Sequence, residues 1–229
     1  MDKSEARKVA VIAGTNIDTR MGVDYINKRC EETGAQGIEA AYCPVTETCD
    51  DQIKFQYSSD AAKRARLDEI FDPGIEAGVK DFFIYCNSLS GAFDFDYYAE
   101  EKGVDVYTPL QIYRTLGSRF DRVGVMAANN ISAHGIESAM MEANPDVYVI
   151  GSGNMSIVHA IEEGLAPADI VRQCGIDHLL KYMEACGCEA VILGCTHFPY
   201  LKEEIEKLTE LEVIDPADKM FEALTGSCK

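Results

Sequence analysis

Eight short apolar runs recur along the chain, separated by longer segments of mixed polarity. The runs occupy residues 8–14, 37–43, 81–86, 104–108, 122–128, 146–151, 190–195 and 211–215. Most are continuously apolar rather than alternating, which is typical of parallel strands covered on both faces. The intervening segments include residues 58–78, 132–143 and 170–187, which have the periodicity of amphipathic helices. Alternating strands and helices predict an α/β fold built on parallel sheets.

The predicted strands fall into two similar sets of four. Val9 and Val123 open equivalent strands 114 residues apart, and Cys86 and Cys195 end equivalent third strands 109 residues apart. These similar offsets predict a duplicated unit. The duplication predicts two pseudo-symmetric parallel-sheet α/β lobes. Because ligands bind outside the carboxyl ends of parallel strands, we expect the active site to lie in the cleft between the lobes. The predicted lobes comprise residues 1–110 with 212–229, and residues 111–211.

Each predicted third strand ends at a cysteine followed by polar residues. Cys86 lies in DFFIYCNSLSGA, and Cys195 lies in AVILGCTHFPYL. Two thiols facing one cleft suit a two-base proton transfer, in which one group removes a proton from a carbon and the other protonates the opposite face. Each thiol needs a helix N-terminus or a polar neighbour to help it ionise.

The residues after the strands supply candidate partners for these thiols and for a substrate carboxylate. The cysteines are followed by Asn87, Ser88, Thr196 and His197. The imidazole of His197 is suited to exchanging a proton with Cys195. The turns after the first strand of each set add Thr15, Asn16, Asp18, Asn129 and Asn130.

Composition limits the partners that the chain can bind. Its 21 Lys and Arg residues stand against 39 Asp and Glu residues, a net charge of −18. This excess argues against binding nucleic acid or an anionic membrane, while a small anionic substrate needs only a locally favourable site. No apolar run approaches the roughly 18 residues needed to span a bilayer, and the first residues do not resemble a signal peptide. The expected location is therefore the cytoplasm.

The nine cysteines have neither the spacing of a disulfide scaffold nor that of a zinc site. Only Cys186 and Cys188 form a close pair, and no second pair matches it, so no metal site is expected. Apart from Cys86 and Cys195, the expected role of a cysteine here is that of a small buried residue. That expectation covers Cys30, Cys43, Cys49, Cys174, Cys186, Cys188 and Cys228.

The two cysteine motifs together resemble those of the aspartate/glutamate racemase family. VILGCTHFPYL is similar to the second cysteine motif of that family, in its glutamate racemase form, and FFIYCNSLSGA is similar to the first. The resemblance implies PLP-independent inversion of an acidic amino acid, without any cofactor, in a protein that is commonly a homodimer. It also implies that Cys86 and Cys195 act as acid and base, that His197 assists Cys195, and that Asn87, Ser88 and Thr196 bind the substrate.

Other segments depart from the family pattern and leave the substrate open. AGTNIDTRMG stands where glutamate racemases have Asp-Ser-Gly, so either Asp18 takes the role of that aspartate or Thr15 and Asn16 line the pocket without an acid. CPVTETCD replaces the usual Tyr-Gly turn, and Asn129 and Asn130 stand where threonine is commoner. The histidine motif favours glutamate, whereas the chain length is closer to that of the compact aspartate racemases.

The sequence permits two alternatives to an acidic amino-acid racemase. A related reaction on the same fold, such as hydantoin racemisation or maleate isomerisation, is one of them, although the His197 motif argues against it. The other is a ligand-binding protein with a catalytically altered site, which the changed first turn permits. Retention of both thiols argues against this second alternative, because binding alone requires neither.

Overall fold

The computed structural model describes residues 6–226 and divides the chain into two compact units. One unit runs to Pro109 and resumes at Ala217, and the other is Leu110–Pro216. All eight predicted strands are present. They are β1 (Arg7–Ala13), β2 (Ile38–Pro44), β3 (Asp81–Ile84), β4 (Asp105–Tyr107), β5 (Arg122–Ala127), β6 (Tyr148–Gly153), β7 (Ala190–Gly194) and β8 (Glu212–Ile214).

The strands form two four-stranded parallel sheets with the same topology. The order is β2-β1-β3-β4 in one unit and β6-β5-β7-β8 in the other. The predicted α/β class is therefore confirmed. In both sheets the first and third strands are central neighbours, so the chain leaves both at the same edge of the sheet.

Helices connect the strands in each unit. In the first unit they are α1 (Asn16–Thr33), α2 (Cys49–Gln56), α3 (Asp60–Glu76), α4 (Asn87–Ala92) and α5 (Phe95–Lys102). In the second unit they are α6 (Pro109–Gly117), α7 (Asn130–Ala143), α8 (Met155–Glu162), α9 (Pro167–Gln173), α10 (Ile176–Ala185) and α11 (Lys202–Glu206). A short 3₁₀ helix, Phe198–Leu201, precedes α11, and α12 (Pro216–Thr225) returns to the first unit. Within residues 6–226 no helix is long and apolar enough to cross a membrane.

Side chains of β7 show why its apolar run does not alternate. Val191 and Leu193 join a core cluster with helices α9 and α10, whereas Ala190 and Ile192 join a second cluster with α7. Both faces of the sheet are thus buried, so every position of the strand favours an apolar residue.

An aromatic group and an ion pair stabilise the first unit. Phe71 of α3 stacks on Phe82 of β3 with ring centroids 4.1 Å apart, and the edge of Tyr98 meets it at 4.9 Å. Arg7 donates two hydrogen bonds to the buried Asp81 and a third to the carbonyl of Leu224. These contacts connect β1, β3 and α12.

Three sequence predictions differ from the structure. The segment 170–187 is two helices, because the chain turns at Gly175 with a φ of 67°. Strand β6 begins two residues later than predicted. The last strand was placed in the first lobe, yet β8 pairs with β7 and therefore belongs to the second unit.

The prediction for the remaining cysteines was also partly wrong. Cys188 is buried, but four others are partly exposed: Cys30, Cys43, Cys174 and Cys186. They lie near helix ends or on the edge strand β2, where one side of the residue meets solvent. The side chain of Cys49 and the whole of Cys228 lie outside the described part of the chain.

Truncation of Phe71 should destabilise the first unit. We expect Phe71→Ala to lower its free energy of unfolding by about 3–5 kcal/mol, because the ring is fully buried between two aromatic neighbours. Tyr97→Ala is the control, since that side chain is exposed and its loss should cost no more than about 0.5 kcal/mol. Urea denaturation followed by circular dichroism measures both free energies of unfolding, and equal losses would contradict the role of the Phe71 ring in the core.

Candidate active site

Parallel pairing brings the residues after β1 and β3 to one edge of the first sheet. Ile12 lies opposite Ile84, and the amide of Tyr85 continues the ladder by donating to the carbonyl of Ile12 at 2.7 Å. Thr15 then caps α1, and Cys86 occupies the cap position of α4. A short apolar strand, followed at once by a helix start, therefore presents a buried thiol at the carboxyl end of the sheet.

Four hydrogen-bonding groups surround the Cys86 thiol. Gln52 Nε2 lies 3.3 Å from Sγ, and the Ser88 hydroxyl lies 3.4 Å from it. Backbone groups of Gly14 and Leu89 also bond to the sulfur. The site thus offers neutral polar groups to a thiolate in a place that water scarcely reaches.

Burial raises the pKa of the Cys86 thiol above its ordinary value, and the negative charge of Asp18 raises it further. The hydrogen bonds from Ser88, Leu89 and Gly14 oppose both effects without cancelling them. At neutral pH Cys86 consequently holds its proton. Asp18 is itself buried, and its Oδ2 accepts a hydrogen bond of 2.9 Å from the Thr15 hydroxyl, which fixes the carboxylate near the thiol.

The second unit surrounds its cysteine differently. Cys195 follows β7 directly and is half-buried, with Sγ 3.8 Å from Nδ1 of the buried His197. On the other side of the ring, Nε2 lies 3.3 Å from Oε1 of Glu162 at the end of α8, an ion-pair separation. Which ring nitrogen carries the proton depends on the tautomer, and Nδ1 is the one that faces the sulfur. The arrangement can pass a proton between sulfur and imidazole.

The other predicted site residues lie at the carboxyl edges of the two sheets, in differing surroundings. Asn87 is buried at the start of α4, and Thr196 is half-buried beside Cys195. Asn129 caps α7 by accepting a hydrogen bond from the Ser132 amide, and Asn130 is exposed. In each unit the first and third strands thus supply neighbouring groups of polar residues.

Asn16 differs from Thr15 and Asp18 in being exposed. Its Oδ1 accepts a hydrogen bond of 2.8 Å from the Tyr42 hydroxyl. It also lines an open cavity of about 470 Å³ together with Pro44, Val45, Thr46, Glu47, Asp51 and Arg66. The first turn therefore sends Thr15 and Asp18 inward while Asn16 faces this cavity.

Two residues of these sites were absent from the sequence prediction. Gln52 reaches Cys86 from α2, and Glu162 reaches His197 from α8. Neither belongs to a cysteine motif, and each lies on a helix whose position against its sheet is set by tertiary packing. Within the described residues, no group of three or more His, Cys, Asp or Glu side chains is arranged to hold a metal ion.

Comparison with known proteins defines the class to which this fold belongs. The sequence model of the Asp/Glu/Hydantoin racemase family matches residues 23–224, which is most of the chain. The chain therefore belongs to the Asp/Glu/Hydantoin racemase family.

Individual relatives agree with that membership. The chain is 29% identical over 156 residues to a glutamate racemase of Acidothermus cellulolyticus, an alignment that covers 66% of this chain and 58% of that protein. It thus spans somewhat more than half the length of this curated relative.

Solved structures share the fold. A glutamate racemase of Francisella tularensis in complex with D-glutamate superposes with a TM-score of 0.74 at 22% identity, covering 96% of this chain and 80% of that one. A putative Asp/Glu racemase of Yersinia pestis gives a TM-score of 0.68 at 15% identity, with coverages of 96% and 98%. At these identities the likeness concerns the fold.

Removal of the Asp18 charge should lower the pKa of Cys86. We expect Asp18→Asn to make the thiol ionise at lower pH, because a negative charge next to a buried thiol opposes its ionisation. The ¹³C shift of the cysteine Cβ in protein labelled at that carbon follows this titration, and Cys86→Ser identifies the resonance. Asp24→Asn on the exposed face of α1 is the control and should leave it unchanged. An unchanged titration in Asp18→Asn would refute the electrostatic coupling.

Proposed function

We propose that this protein is a PLP-independent amino-acid racemase that inverts Cα of an acidic amino acid, glutamate or aspartate, with Cys86 and Cys195 as its proton carriers. One observation carries the proposal. A cysteine lies within two residues of the end of the third strand in each sheet, and each has polar partners that suit proton transfer. Membership of the racemase family and the glutamate racemase relatives support the reaction class.

The reaction calls for one proton carrier on each face of Cα, and each unit carries one. In one direction the Cys195 thiolate takes the Cα proton while the Cys86 thiol protonates the opposite face, and the reverse direction exchanges these roles. The raised pKa of Cys86 fits its start as the thiol. Because the Cα–H bond is weakly acidic, donors must hold the substrate carboxylate as negative charge develops. Asn87, Thr196 and the backbone amide of Ser88 in the first turn of α4 are the proposed donors.

The second unit would maintain the thiolate through an imidazole. Nδ1 of His197 accepts the proton of Cys195, and the carboxylate of Glu162 stabilises the imidazolium that results. Glu162 is then a positioning residue, since it acts through the histidine. Asp18 has a different part, because its charge favours the protonated form of Cys86, in which the sulfur holds the proton to be donated.

The substrate, the location, the oligomeric state and the cofactor requirement are part of the same proposal. Glutamate is the favoured substrate, because relatives that align over 156 and 159 residues are glutamate racemases and because the His197 motif resembles that of glutamate racemases. A homodimer is proposed from the resemblance alone, and the cytoplasmic location stays the expectation stated from the sequence. The substrate site would require no cofactor, since both proton carriers are side chains of the chain itself.

Replacement of either thiol should abolish racemisation. We expect Cys86→Ala and Cys195→Ala each to lower the rate of inversion of L- and D-glutamate by at least about 10²–10⁴-fold, the contribution typical of one acid–base group. Chiral chromatography in deuterated water measures inversion together with exchange of the Cα proton. Cys30→Ala and Cys174→Ala are matched controls, one in each unit, and should retain activity.

The same assay separates this proposal from its alternatives. Full activity in either thiol variant would refute the two-cysteine mechanism. Inversion of aspartate but not glutamate would identify aspartate as the substrate in place of glutamate. Tight binding of an acidic amino acid without exchange by the wild-type protein would instead support a ligand-binding role.

Loss of the Glu162 charge should slow catalysis without preventing binding. We expect Glu162→Gln to lower kcat about 10–100-fold, the scale on which removal of a carboxylate behind a histidine acts at metal sites. KM should change little, because Glu162 contacts the imidazole. Glu163→Gln, the next residue in the chain, is the exposed control. Steady-state kinetics decides, and equal effects of the two changes would contradict the role of Glu162.

A further inference from the structure

Helix α2 carries an uncharged amide to the Cys86 thiol from a part of the chain 34 residues earlier. The side chain of Gln52 donates from the single atom Nε2 to two neighbours. Sγ of Cys86 lies 3.3 Å away, and Oγ of Ser88 lies 2.9 Å away. An amide nitrogen has two hydrogens, so both contacts can form at the same time.

We propose that Gln52 is a positioning residue for Cys86, which holds the sulfur in place and turns the Ser88 hydroxyl toward it. Since the Ser88 oxygen accepts from Gln52, its own hydrogen is left to donate to Sγ at 3.4 Å. The three side chains form a closed ring in which sulfur receives two hydrogen bonds. In the thiol form, the S–H proton must then lie on the side of the sulfur away from Gln52 and Ser88.

The glycine at position 14 leaves space for the Gln52 side chain. A methyl group at residue 14 would overlap the side-chain amide of Gln52. Because Gly14 is not among the described glycines with positive φ, the backbone conformation does not require glycine there. A side chain at position 14 would displace the flexible end of Gln52, which the glycine leaves in place.

The segment that carries Gln52 is fixed to the same turn. Thr46 bonds to the carbonyl of Gly14 through both its amide, at 3.0 Å, and its hydroxyl, at 2.6 Å. Thr48 then caps α2, and the backbone amide of Gln52 donates to the Thr48 carbonyl at 3.0 Å. These contacts hold the helix turn that carries the Gln52 side chain, and they begin at Gly14, next to the thiol.

A neutral donor suits the role assigned to Cys86. The thiol must both release and recover a proton, so neither form can be strongly favoured. Burial and Asp18 favour the thiol, and a cation in place of Gln52 would strongly favour the thiolate. An amide stabilises the thiolate by hydrogen bonding without adding charge. This reasoning rests on the proposed function, in which Cys86 carries the proton.

The test reads Cys86 directly. In protein labelled at the cysteine Cβ carbon, we expect Gln52→Leu to raise the pKa of Cys86. The change removes the Gln52 donor and no longer orients the Ser88 hydroxyl toward the sulfur. Gln52→Glu should raise it further by adding a negative charge. Gly14→Ala should also raise the pKa of Cys86, because the added methyl group displaces the Gln52 side-chain amide from the sulfur. Gln56→Leu, one turn later on α2, is the matched control and should cause no shift.

The result of Gln52→Leu decides the inference, and circular dichroism confirms that the variant is folded. An unchanged or lowered Cys86 pKa would overturn it, because a lowered value would mean that the amide accepts from the thiol rather than donating to it. In the racemase assay the same variant should lower kcat about 10-fold, the effect of one lost hydrogen bond to a charged group. A raised pKa in a protein without racemase activity would support the positioning role and refute the proposed function alone.

Discussion

Parallel pairing of the first and third strands determines where the polar side chains of both candidate sites lie. In each sheet these strands are central neighbours in the same direction, so the segments that leave them start side by side. Thr15 and Asp18 therefore meet the segment containing Cys86, and Asn129 lies beside the segment containing Cys195. Because both faces of the apolar strands are buried, the polar side chains lie at the ends of the strands. Neither group of residues would form if another strand were inserted between the central pair.

Burial of a thiol at such an edge creates an electrostatic conflict that the surrounding residues must balance. Removal from water favours the neutral form of Cys86, and the carboxylate of Asp18 acts in the same direction. Hydrogen bonds from neutral donors favour the thiolate without placing a further charge in the site. The number of neutral donors within reach of the sulfur thus determines how readily it ionises, and Gln52 contributes one from outside the local motif.

The parts of the fold that depend on local sequence were predictable, and those that depend on packing between distant segments were not. The apolar runs identified all eight strands, and the motifs after β3 and β7 identified Cys86, Cys195 and His197 as neighbours of polar groups. The repeat placed β8 in the second set of four strands, where it pairs with β7, but the predicted lobe boundary at residue 212 separated it from that set. Gln52 and Glu162 were missed because a polar residue on a helix carries no sign of the distant side chain that it will contact.

The duplicated scaffold holds two chemically different thiols. Cys86 is buried among neutral donors and faces a carboxylate, whereas Cys195 is half-buried and adjoins an imidazole backed by Glu162. The sheets are constrained by packing on both faces, so two copies keep the same strand order while the loops that follow the strands diverge. Divergence in the loops changes the groups around each sulfur without moving the sulfur itself. A symmetric pair would give both thiols the same preference for the proton. Burial and Asp18 instead favour the thiol form of Cys86, whereas Cys195 lies against an imidazole that can exchange a proton with it.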